Sequence, residues 1–73
     1  KSYLIKLYPE KINLQELKAL LDKNLNGQNK IDFAFIIDEN EIKIDSKKKF
    51  TVNLDFLTKI KDLDGVINIE QIN

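Results

Sequence analysis

Cysteine, histidine, tryptophan, methionine and arginine are all missing from this 73-residue chain, and proline occurs once and glycine twice. Without cysteine, neither a disulfide nor a thiolate metal site can form. Without histidine, imidazole ligation of zinc and imidazole general-base chemistry are excluded within these residues. All twelve basic residues are lysines, so no guanidinium fork is present for bidentate phosphate recognition. Twelve acidic residues balance them, and a net charge of 0 provides no overall field to draw in nucleic acid. The longest uninterrupted apolar run, Phe33 to Ile37, is far short of the ~20 residues of a membrane span, and no signal-peptide pattern is present. A chain of this length is one domain, with a core expected to supply only roughly 3–5 kcal/mol of net stability. Because it starts at Lys1 and lacks methionine, it is expected to be a domain excised from a larger parent.

What is present is organised around Lys30–Asp45. Ile31, Phe33, Phe35 and Ile37 alternate with Asp32, Ala34, Ile36 and Asp38, the two-residue period of a strand. The polar cluster Asp38-Glu39-Asn40-Glu41 reads as a tight turn centred on Glu39-Asn40. Ile42 and Ile44 then alternate with Lys43 and Asp45 on a returning strand. Ahead of this hairpin, Tyr3, Ile5 and Leu7 alternate with Leu4, Lys6 and Tyr8, a strand closed by Pro9. Asn13 caps a helix, with Glu16 three residues on. Leu14, Leu17, Leu20, Leu21 and Leu25 supply its apolar stripe, and Asn26-Gly27 is expected to end it through a left-handed glycine. After the hairpin, Ser46–Lys49 reads as a solvated loop or strand end, and Phe50 and Val52 as buried. Asn53 caps a second helix whose stripe is Leu54, Leu57, Ile60 and Leu63. Asp64-Gly65 ends that helix, and Val66, Ile67, Ile69 and Ile72 form a last strand.

The resulting order is strand, helix, strand, strand, helix, strand. Right-handed crossovers then predict an α+β, ferredoxin-like βαββαβ two-layer sandwich: a four-stranded antiparallel sheet of order 4-1-3-2 with both helices on one face. The other face carries Leu4, Tyr8, Ala34 and Ile36 among charged residues. An exposed apolar area of this kind marks an interface, so these four residues are the candidate site. The expected partner is a second copy, giving a dimer, or the rest of the parent protein. Shading by lysine stems is the plain alternative.

No catalytic, cofactor or metal residue is assigned. Asp38, Glu39, Glu41 and Asp45 cluster near the turn, but lack the spaced carboxylates of a calcium loop. Lys47, Lys48 and Lys49 are fewer than a lipid-binding basic cluster of about 4–8. Tyr3, Tyr8, Phe33 and Phe35 lack the Lys/Arg-Gly-Phe/Tyr pattern of an RNA-binding sheet and read as core. Ser2, Ser46, Thr51 and Thr58 have no histidine to activate them.

Leu57-x-x-Ile60-x-x-Leu63-Asp64-Gly65-Val66-x-x-Ile69, a helix, a Gly-Val junction and a strand, resembles the ending of ACT-like and metallochaperone-like domains. Metallochaperones carry a Cys-x-x-Cys pair that is missing here. Amino-acid-binding ACT domains have a glycine in the first strand–helix turn, where this chain has Pro9-Glu10-Lys11-Ile12. The pattern is similar to the small C-terminal cytoplasmic domain of MgtC/SapB-type bacterial membrane proteins. That resemblance implies a non-enzymatic regulatory or interaction module linked to magnesium adaptation. It would be cytoplasmic and tethered to the inner membrane through the parent. From composition and apolar run length, no cofactor, no nucleic-acid partner and no insertion of this segment into the membrane are expected. The other expectations are an ACT-type small-molecule sensor of a soluble metabolic protein and a purely structural assembly domain. At the local level, Asn13→Ala is expected to lower stability by about 1 kcal/mol in urea unfolding.

Overall fold

A computed structural model describes residues 1–72. Six elements follow in the expected order: β1 (Ser2–Leu7), α1 (Leu14–Asp22), β2 (Leu25–Ile37), β3 (Asn40–Phe50), α2 (Leu54–Asp62) and β4 (Val66–Ile72). They form an α+β structure with one four-stranded sheet.

The strand order is β3-β2-β1-β4, and the sheet is mixed. β1 and β2 lie side by side and parallel, with Ile5 opposite Phe33 and Leu7 opposite Phe35. β3 is antiparallel to β2, and β4 is antiparallel to β1. The expected antiparallel 4-1-3-2 order is therefore corrected. The reason lies in side-chain chemistry. β2 is apolar on both faces, and such a strand belongs at the centre of a sheet. β3 alternates two isoleucines with Glu41, Lys43 and Asp45 and continues into three lysines, so only one of its faces is apolar and it suits an edge better than the centre. Once the hairpin holds β3 on one side of β2, β1 takes the other side through the α1 crossover. α2 must then carry the chain across the helix layer to the free edge of β1.

Both helices cover the same face. Leu17 of α1 and Phe56 and Ile60 of α2 join Ile5, Leu7, Ile12, Ile31, Phe33 and Phe50 in one core cluster. The caps form as expected. Asn13 Oδ1 accepts from the backbone N–H groups of Gln15 (3.0 Å) and Glu16 (3.1 Å). Asn53 Oδ1 accepts from the N–H of Phe56 (2.9 Å). The apolar stripe of α2 runs through Phe56 and Ile60, four residues apart, and Leu54 is 79% exposed. The large ring of Phe56 takes the central place that the leucine spacing had suggested for Leu54 and Leu57.

Four further boundaries differ. Helix α1 ends at Asp22, and β2 begins at Leu25. Gly27 is not the left-handed cap; Asn26 has the positive φ, 67°. Gly27 instead allows a close backbone approach, because a Cβ there would lie 2.1 Å from the carbonyl carbon of Phe50. The hairpin turn is centred on Asp38 and Glu39, with φ 49° and 69°. Ile37 opposes Asn40, so the loop has two residues, and two successive positive φ values match the right-handed twist of the flanking strands. Ser46–Lys49 belongs to β3: Ser46, Lys47 and Lys48 form an irregular stretch opposite Ile31, with φ 61° at Lys47, and Lys49 pairs with Lys30. Helix α2 ends at Asp62, capped by Leu63 in extended backbone, so Asp64-Gly65 does not end it; Gly65, φ 93°, lies in the turn that leads into β4, and its carbonyl accepts from the N–H of Tyr8 (2.7 Å).

Phe56 is fully buried. Phe56→Ala should cost about 3–5 kcal/mol, comparable to the whole stability of a domain this small. Circular dichroism at 25 °C should show the variant largely unfolded.

Candidate interaction surface

The sheet presents two faces, and alternation assigns each strand residue to one of them. Register places Leu4 between Asp32 and Glu70, and Ala34 between Lys6 and Lys43, on the face away from the helices. Leu4 is only 5% exposed and Ala34 is 0% exposed. The Lys6 Nζ–Glu41 Oε1 pair, 3.8 Å apart, reaches from β1 to β3 across β2 and lays its stems over that region. Ile36 is half-buried on the same face. Tyr8 lies beyond the end of β1, half-buried, with Lys11 Nζ 4.9 Å from its ring centroid. The four residues expected to form an exposed apolar patch are thus brought to one side only in part, and two of them are already covered within the chain.

The same face holds a polar anomaly. Asp32 and Asp45 are directly opposite on β2 and β3. Asp32 Oδ1 is buried without a hydrogen-bond partner, whereas Asp45 Oδ1 accepts from the N–H of Lys47 (2.7 Å). Like charges directly opposite destabilise a sheet. Among the described residues, no three carboxylates gather to hold a metal ion, the cluster near the turn included.

Beside the hairpin, exposed apolar area lies on the helix-bearing face. Ile42 opposes Phe35 and Ile44 opposes Phe33, so all four side chains share that face. α2 packs on β4 and against α1, which leaves the inner face of β3 beyond the reach of the helix layer. Ile42 is 47% exposed and Ile44 is 42% exposed. Between α1 and the hairpin runs a trough of about 380 Å³, walled by Leu14, Leu17 and Leu21 and floored by Phe33 and Phe35. Lys18, Asp22, Ser46 and Lys48 supply its polar groups. Leu14, at the first helical position, is 65% exposed beside it. The isoleucine alternation was visible in the sequence as a core-facing pattern. What could not be read there is that β3 sits at an edge with nothing above it.

No protein-family model, no curated protein and no solved structure matches this chain. Among the described residues, no helix is long and apolar enough to cross a membrane.

The Asp32–Asp45 opposition yields a test. Asp32→Asn removes one of two facing charges and adds a donor, so it should raise stability by roughly 0.2–1 kcal/mol, measured as a higher urea midpoint with an unchanged slope.

Proposed function

We propose that this chain is a non-catalytic protein-interaction module that works through the trough beside α1 and the adjoining edge of β3. The observation that carries this reading is the uncovered inner face of β3, where Ile42 and Ile44 project among apolar neighbours yet remain nearly half exposed. Large apolar residues gathered in one concave strip contribute little to the fold while solvated and gain most when a second surface excludes water from them. The tie to a magnesium-adaptation membrane protein has only the Leu57–Ile69 pattern behind it, and the observed strand order adds nothing to it. The proposal is therefore confined to the interaction role.

A small-molecule sensor is the second reading. The trough volume of about 380 Å³ falls in the size range of ligand sites, and its largely apolar walls would suit a hydrophobic ligand better than a free amino acid.

The double variant Ile42→Ser/Ile44→Ser separates a docking role from a folding role. Its stability should stay within about 1 kcal/mol of the parent chain in urea unfolding. Native-state fluorescence of anilinonaphthalene sulfonate, bound by the parent chain at low micromolar concentration, should be mostly lost. Collapse of the melting transition would assign these residues to the core and overturn the proposal. A rise in melting temperature with amino acids or small apolar ligands would favour the sensor reading.

A further inference from the structure

The outer edge of β3 has a charge pattern complementary to itself. Along its face away from the helices run Glu41, Lys43 and Asp45, acidic and basic in turn, with Lys47 next along the strand; Ile42 and Ile44 lie on the helix side. We propose that a second copy of this chain pairs with the edge of β3, antiparallel, about a two-fold axis through Ile44. The inference rests on the interaction reading and names its partner.

Backbone geometry permits this register. In a hairpin closed by a two-residue loop, the residues flanking the loop exchange both hydrogen bonds, and bonded pairs then alternate with non-bonded ones. Ile37/Asn40, Phe35/Ile42 and Phe33/Ile44 are therefore the bonded pairs of the β2–β3 ladder. Ile42 and Ile44 direct their peptide groups toward β2, whereas Glu41, Lys43 and Asp45 direct theirs to the free edge. With the axis through Ile44, Lys43 and Asp45 of the second copy exchange backbone hydrogen bonds, and Ile44 faces its own copy as a non-bonded pair.

Side-chain chemistry selects this register over its neighbours. Lys43 faces Asp45, Glu41 faces Lys47, Ile44 faces Ile44 and Ile42 faces Ser46, so every charged pair joins opposite signs. An axis through Lys43 would set Lys43 against itself and Glu41 against Asp45. An axis through Asp45 would set Asp45 against itself and Lys43 against Lys47. An axis through Ile42 keeps Glu41 opposite Lys43 but ends the ladder at Asn40, where β3 begins. Asp45 Oδ1 accepts from Lys47 N–H, which leaves Oδ2 for the incoming lysine. The positive φ of Lys47, whose N–H is already donated to Asp45 Oδ1, ends the regular edge, so the backbone bonds across the axis are the two Lys43–Asp45 exchanges. β4, the other edge strand, carries a single charged residue, Glu70, and has no such pattern. Pairing in this register also sets Ile44 of both copies side by side on the helix face of one eight-stranded sheet.

The absence of native cysteine makes the register directly testable. Facing residues of a non-bonded antiparallel pair have Cα atoms about 4.5 Å apart, within disulfide range. Under mild copper–phenanthroline oxidation, Ile44→Cys should form covalent dimers at least about tenfold faster than Ile42→Cys, whose nearest counterpart lies further off. In sedimentation equilibrium, Lys43→Asp or Asp45→Lys alone should weaken self-association about tenfold or more by facing like charges. The double exchange Lys43→Asp/Asp45→Lys should restore it to within about threefold, with circular dichroism melts confirming that every variant is folded. A parent chain that stays monomeric to millimolar concentration, equal crosslinking of the two cysteine variants, or no restoration by the double exchange would each overturn the inference. None of these outcomes bears on the trough, whose role is judged by the serine variant at concentrations where the chain is dilute.

Discussion

The parallel contact between β1 and β2 is the constraint from which the rest of the structure follows. It sets Ile5 beside Phe33 and Leu7 beside Phe35, and it closes the gap that a hairpin strand would otherwise enter. Parallel neighbours require a crossover, and a right-handed one places α1 over the pair. Leu17 can then bury itself against strands whose inner residues are already adjacent. With β1 and β2 at the centre, β3 and β4 become edges, and α2 packs on β4 because it must return the chain to that side. Two short helices, nine residues each, are drawn toward the β4 side of the sheet, and the far edge goes uncovered.

That asymmetry converts a core pattern into a surface. Isoleucines at positions 42 and 44 alternate as though they faced an interior, and in a sheet fully roofed by helices they would. Here the roof stops at α1, and both side chains stay nearly half exposed. On the opposite face the reverse happens. Leu4 and Ala34 looked exposable because no helix covers them, yet neighbouring strands and the Lys6–Glu41 pair close over them. Burial thus depends less on which face a residue occupies than on how many strands flank it. Central positions are shaded from both sides, and edge positions from one.

Local chemistry was legible wherever a single residue decides the outcome. Asn13 and Asn53 cap the helices because a short amide side chain satisfies N–H groups that the helix leaves unpaired. Gly65 takes a positive φ in the turn between α2 and β4, two residues past the cap at Leu63 and not at the helix end where its place after Asp64 had suggested. Gly27 was misread because two different demands, a left-handed φ and the absence of a Cβ, select the same residue. Only the packing of Phe50 and Thr51 against it shows which demand applies. The turn was misplaced by one residue because Asp38-Glu39-Asn40-Glu41 is polar throughout, and only the pairing of Ile37 with Asn40 decides which two residues turn.

The amino-acid sequence alone settled the presence of six elements, their order and the two faces of β1, β2 and the first half of β3, since periodicity and capping act over a few residues. Which strands become neighbours is a different kind of choice. Antiparallel 4-1-3-2 and mixed 3-2-1-4 sheets use the same alternations and the same helices, and they differ only in contacts between residues far apart in the chain. Tertiary packing chose the second by giving the doubly apolar β2 a central place and the charged β3 an edge. The trough and the self-complementary strand beside it exist because of that choice.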